Sequence, residues 1–181
     1  LILSIEPVST LAETLRARLS QDSKWQVRQI ALGAESGQAT FNVMRGDVFS
    51  SFLTPDPNAK TPYSDANQVI RTEQVEVDTL DRLVPALQEQ FSVKNFYLKL
   101  DTQGFDLEVL AGAGQVLQNV AALQTEVSFR PLYLNMPSWK DALSRLESLG
   151  FRISGFTPIA PSVQFPEAYE MNCFFVNSRF L

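Results

Sequence analysis

Hydrophobic positions along the chain fall into short runs that switch between the two-residue period of a strand and the three-to-four-residue period of a helix. Leu1 to Ile5 is apolar and runs into Glu6-Pro7, where proline ends regular pairing, so a strand is expected to stop at Glu6. Thr10 and Glu13 have the spacing of a capping box. Leu11, Leu15 and Leu19 form a stripe at i, i+4, predicting an amphipathic helix through about Asp22. Trp25 to Leu32 is a β-rich run closed by Gly33, and Gln38 to Met44 puts Phe41 and Val43 on one face after the turn residues Glu35-Ser36-Gly37. From Asp47 to Asn67 the chain carries Pro55, Pro57 and Pro62 without clear periodicity, marking a long loop of the kind that often carries function.

The alternation then resumes. Val69 to Val77 reads as a strand, and Asp78 stands where it can cap a helix bearing Leu80, Leu83, Val84 and Leu87. Phe96, Leu98 and Leu100 alternate with Tyr97 and Lys99 before Asp101. After Gly104, residues Leu107, Leu110, Ala111, Gly114 and Leu117 sit three or four apart, a helix face whose small residues allow close approach to a sheet. Val120 to Phe129 returns as a strand through Glu126. Ser138 and Asp141 cap a helix with Ala142, Leu143, Leu146 and Leu149 inward, closed by Gly150. Phe151 to Phe156 and Met171 to Val176 supply the last strands. Strands alternating with helices of this length predict βαβ units, hence an α/β fold with a mostly parallel, doubly wound sheet in a single domain over residues 1–181.

Composition narrows the chemistry. The 181 residues include no histidine, which removes Ser-His-Asp and Cys-His pairs, His-ligated metals and an imidazole base. Proton transfer must fall to a carboxylate, Lys, Tyr or the thiol. With 15 Lys plus Arg scattered among 20 Asp plus Glu, for a net charge of −5, a nucleic-acid partner is not expected. Cys173, the single cysteine, lies in Cys173-Phe174-Phe175-Val176 and reads as a small buried hydrophobe. No apolar run approaches the ~18 residues that span a bilayer, so the chain reads as cytoplasmic with no membrane partner. It opens without Met and inside a strand-like run, which looks like a cut edge. Oligomeric state leaves no mark in the sequence.

In an open α/β sheet ligands bind beyond the carboxyl ends of the strands, and three acidic residues qualify: Glu6, Asp101 and Glu126. A carboxylate such as Glu6 can accept from both hydroxyls of a ribose, or simply cap a helix. Asp101 precedes Thr102-Gln103-Gly104, where glycine permits a tight turn and close approach of a ligand; a cap is again the plain alternative. Glu126 lies within an apolar strand, so a partner or ligand should face it. Asp106 suits the first turn of a helix. Ala111-Gly112-Ala113-Gly114 matches a phosphate loop only superficially, since it lies inside a helical pattern and no Lys follows at Walker spacing.

The order of these segments resembles a known family. The matching pieces are Ile5-Glu6-Pro7 ahead of a helix, Gln29-Ile30-Ala31-Leu32-Gly33 followed by Ser36-Gly37, Phe49-Ser50-Ser51, and Val77-Asp78-Thr79-Leu80-Asp81. They continue with Leu98-Lys99-Leu100-Asp101-Thr102-Gln103-Gly104 through Ala111-Gly112-Ala113, then Leu123-Gln124-Thr125-Glu126-Val127 and Leu149-Gly150-Phe151. Over essentially its whole length the chain resembles the FkbM family of S-adenosylmethionine-dependent methyltransferases, a Rossmann-like class I fold.

The resemblance implies S-adenosylmethionine as cofactor, with Glu6 at its ribose, the Ala31-Leu32 backbone beside its adenine, and Ser51 also at the cofactor. Asp101 then lies at the edge of the methyl-transfer site as base or orienting group, with Glu126 second and no metal required. The implied acceptor is a small molecule or glycan, methylated on a hydroxyl of a sugar or secondary metabolite. Gln103 stands where the family usually has Glu, and Asn172 where it often has an acid. The family's first strand and its Asp-x-Gly-Ala-Asn-x-Gly loop do not occur in the sequence. In the family that strand lies between the Glu6 and Asp101 strands, so the domain is expected to be N-terminally incomplete relative to it. Two rival readings are a non-catalytic Rossmann-like interaction module that has lost cofactor binding, and a Mg²⁺ site built from Asp101, Asp106 and Glu126.

Overall fold

The computed structural model describes residues 1–19, 21–59, 61–159 and 169–181. β1 (Ile2–Ile5), α1 (Ser9–Arg18), β2 (Trp25–Arg28), β3 (Ala31–Leu32), β4 (Gly37–Met44) and β5 (Val69–Asp78) form the first half. α2 (Leu80–Phe91), β6 (Phe96–Lys99), α3 (Asp106–Ala111), β7 (Val120–Ser128), α4 (Trp139–Ser148), β8 (Phe151–Pro158) and β9 (Glu170–Asn177) form the second. The strands make three sheets, ordered β1-β2, β3-β5-β4 and β6-β7-β9-β8. The expectation of one mostly parallel sheet is corrected to mixed sheets. β1–β2, β3–β5 and β6–β7 run parallel, whereas β4–β5, β7–β9 and β8–β9 run antiparallel. The reason lies in the connections: a parallel neighbour needs a crossover, and among the described residues no helix intervenes between β4 and β5 beyond a 3₁₀ turn at Asp47–Phe49. Among the described residues β1 pairs only with β2, and β6 only with β7.

Local chemistry moves several expected boundaries. The Trp25 to Leu32 run divides, because β2 pairs with β1 while β3 pairs with β5. The Thr10–Glu13 capping box does not form, since α1 begins at Ser9 and Thr10 already lies in its first turn. The free amides there are met from outside the helix, Val8 N donating to Glu6 Oε1 (2.9 Å) and Ser9 N to Glu73 Oε2 on β5 (3.1 Å). Thr79 rather than Asp78 caps α2, its hydroxyl accepting from Arg82 N. The helix expected to run to Leu117 stops at Ala111, and a 3₁₀ turn follows at Val116–Asn119. A Cβ on Gly112 would stand 2.2 Å from the Gly33 carbonyl oxygen, so glycine is needed for the chain to pass there. The Asp81 carboxylate accepts from Gln115 N and Val116 N, securing the new turn.

The main core packs α2, α3 and α4 on one face of the four-stranded sheet, burying Val109, Leu110, Leu123, Val127, Leu146 and Phe175. Cys173 lies in this cluster as expected, and burial pushes its thiol up to about 11. Fully burying each such side chain stabilises the fold by about 1.5–3 kcal/mol. Because side chains alternate along a strand, the inward set Leu123, Thr125 and Val127 sends Gln124, Glu126 and Ser128 to the opposite face of β7. Smaller clusters join Val8, Ala31, Phe41 and Val77, and Met44, Leu132 and Tyr133. No helix among the described residues is long and apolar enough to cross a membrane.

Candidate functional site

Leu100 N donates to Gln124 O at 2.8 Å, carrying the parallel ladder one residue past β6 and delivering Asp101 to the carboxyl end of that strand. The chain then turns sharply, with Gln103 at φ 51° and Gly104 at φ 88°. A Cβ on Gly104 would meet Met136 Cγ at 2.9 Å, so glycine serves both the φ and the contact. Asp101 is exposed and its Oδ2 lies 2.8 Å from Lys99 Nζ. The Gln103 amide nitrogen lies 3.4 Å from Asp101 Oδ1 and 3.4 Å from Glu126 Oε2, between the two acids.

Glu126 is largely buried. Burial, reinforced by the charges of Asp101, Glu170 and Asp106 and opposed by Lys99, pushes its carboxyl up to about 8. Glu170 on β9 is also raised by burial, although Ser128 Oγ donates to it at 3.0 Å. Asp106 lies in the first turn of α3, as expected, and is buried there. The hydroxyls of Thr102 and Thr125 both donate to its carboxylate, yet burial still raises its pKa. These bonds lock the turn after β6 onto β7 and occupy both Asp106 oxygens. Asp101, Asp106 and Glu126 do not converge as a ligand set, and among the described residues no group of three or more such side chains is placed to hold a metal ion.

Glu6 follows β1, whose ladder its own amide extends by donating to Arg28 O at 3.0 Å. It is half-buried, and burial raises its carboxyl, with Asp47, Glu73 and Asp101 adding and the Val8 amide opposing. Since Glu6 senses the charge of Asp101, the carboxyl ends of β1 and β6 lie within electrostatic reach of each other. Ala31 is buried in β3, and Leu32 packs partly buried against the main core. Ser51 is fully buried. Its hydroxyl donates to Gln103 O (3.0 Å) and accepts from Leu53 N (3.1 Å), so it fastens the long loop to the turn after β6.

Tyr133 and the side-chain role of Gln103 escaped sequence reasoning. Tyr133, 1 % exposed, places its hydroxyl 2.7 Å from Phe49 O and 3.1 Å from Gln103 Oε1. It sits in a stretch without periodicity, and its partners are 84 and 30 residues away, so no local pattern marks it. The long loop is further tied by the Asn42–Ser51 and Pro55–Tyr133 bridges. Beside Glu126 a narrow cleft opens, lined by Gly104, Leu107, Met136, Pro137 and Trp139.

Helices packed on mixed sheets in this order make a methyltransferase-like α/β fold. A crystal structure of Methyltransferase FkbM from Methylobacillus flagellatus KT shares that fold with a TM-score of 0.56 at 14 % sequence identity. The match covers 96 % of this chain and 36 % of that one, so the chain spans about a third of the length of this neighbour. The Methyltransferase FkbM domain profile matches residues 1–153, and the chain belongs to that family. No curated protein matches the sequence.

Proposed function

We propose that the protein is an S-adenosylmethionine-dependent methyltransferase that methylates a hydroxyl group of a sugar, glycan or secondary metabolite. The observation that carries this reading is the match of residues 1–153 to a methyltransferase family, in a chain that sets Glu6 just past β1 and Asp101 just past β6. The residues fit the cofactor: Glu6 gives one oxygen to Val8 N and keeps the other free of protein partners among the described residues, open to ribose hydroxyls. The backbone at Ala31 and Leu32 borders the adenine in this reading, while Ser51 acts by holding the wall formed by the long loop. When bound, S-adenosylmethionine supplies a methyl group on a sulfonium that is already a good leaving group.

The chain has two tasks, to align the acceptor oxygen and to take its proton. Asp101, exposed at the strand end, accepts the proton from the acceptor hydroxyl, and its ion pair with Lys99 fixes its orientation. Glu126, whose raised carboxyl favours the protonated form, donates a hydrogen bond that orients the acceptor rather than removing its proton. Leu107, Met136 and Trp139 in the cleft exclude water from that side. A net charge of −5 without a basic cluster suits a small hydroxylated acceptor better than a nucleic acid. The test is incubation with methyl-labelled S-adenosylmethionine and a panel of monosaccharides, oligosaccharides and hydroxylated metabolites. Base-stable ether label on an acceptor is expected. Label found only as base-labile ester would overturn hydroxyl methylation.

A further inference from the structure

We propose that Gln103 is a positioning residue: its amide holds the Asp101 and Glu126 carboxylates in one arrangement and ties them, through Tyr133, to the loop that carries Phe49 and Ser51. The backbone is the first argument. Gln103 adopts φ 51°, a left-handed conformation that costs a side-chain-bearing residue free energy, and the buried Ser51 hydroxyl donates to its carbonyl at 3.0 Å and holds it there. The direction of the side chain is thereby fixed from below.

The side chain is the second argument. An amide offers two N–H donors on one side and an acceptor on the other, and each finds a matching group here. The nitrogen lies 3.4 Å from an oxygen of each acid, and Oε1 lies 3.1 Å from the Tyr133 hydroxyl. The reverse orientation would aim a carbonyl at two carboxylates. The charges that reach Glu126 are Asp101 and Lys99 from β6 and its turn, Glu170 from β9 and Asp106 from α3, so acids predominate. A neutral donor at 103 favours the ionised acids without adding charge, whereas a carboxylate there would join Asp101, Asp106, Glu126 and Glu170. The Tyr133 hydroxyl lies within hydrogen-bond distance of both Phe49 O and Gln103 Oε1, which links the loop to the residue that orients the acid pair.

The catalytic meaning of this arrangement rests on the methyl-transfer reading; its test does not. Side-chain carboxyl carbons are followed by NMR titration in the protein without cofactor, for wild type, Gln103→Ala, Gln103→Glu and Tyr133→Phe, with circular dichroism to confirm folding. Gln103→Ala is expected to raise the Glu126 midpoint by about one pH unit, because a donor to the ionised form is lost. Gln103→Glu should raise and broaden it further, and Tyr133→Phe should move it upward by less. An unchanged Glu126 midpoint in folded Gln103→Ala, or in folded Tyr133→Phe should the former not fold, overturns the proposal. In turnover, the pH profile of Gln103→Ala should shift by the same amount with affinity for S-adenosylmethionine retained. If S-adenosylmethionine does not bind while the titration shifts persist, methyl transfer fails and the coupling stands.

Discussion

Asp101 is exposed against Lys99, whereas Glu126, one strand away, is half-buried and its carboxyl is pushed up to about 8 by burial. In the proposed reaction Asp101, the exposed acid of the two, takes up the proton. Asp101→Asn is expected to lower turnover by about 10²-fold or more while the calorimetric Kd for S-adenosylmethionine stays within about twofold; equal losses in both would refute the assignment. Glu126 also leaves a signature in stability. Its pKa in the folded chain is raised above the unfolded value, so stability present at low pH is lost as pH rises from the ordinary carboxylate range through about 8. Glu126→Gln, whose neutral amide cannot ionise, should match wild type near pH 5 and melt several degrees higher near pH 9; parallel melting curves at both pH values would count against the burial argument. At this scale the sequence singles out Glu6 and Asp101 by their place after apolar strands and Glu126 as a charge within one. Gln103 and Tyr133 were not, because their importance lies in contacts that no local spacing encodes.

At the scale of elements, strand and helix types followed the hydrophobic period, while boundaries obeyed contacts from elsewhere in the chain. The apolar spacing from Leu107 to Leu117 is helical throughout, yet the close passage of Gly112 past the Gly33 carbonyl breaks it. Gly112→Ala forces backbone apart and should cost at least about 1–3 kcal/mol, seen as a fall of several degrees in Tm; a wild-type Tm would remove this explanation of the break. Thr79→Ala should remove the α2 cap and cost about 1 kcal/mol in denaturant unfolding, whereas Asp81→Ala should disturb the turn at Gln115 and Val116 as well. The Trp25 to Leu32 run reads as a single strand because nothing in its composition says that its two ends pair with different sheets.

For the whole molecule, the α/β class was legible but the sheet arrangement was not, since pairing depends on which strands meet after the long loop and around β9. What the assembly achieves is to set Asp101, just past β6, beside Glu126 on the neighbouring strand β7 through the Gln103 amide, with the long loop fastened to the same turn through Ser51 and Tyr133. In the proposed reaction the chain binds S-adenosylmethionine through Glu6 and presents the acceptor to Asp101. The most direct test is calorimetric titration of S-adenosylmethionine into the wild-type protein and into folded Glu6→Gln. Saturable binding at one site, weakened about tenfold or more by the substitution, is predicted. Absence of binding to folded wild type, or equal affinity in the two proteins, would contradict it.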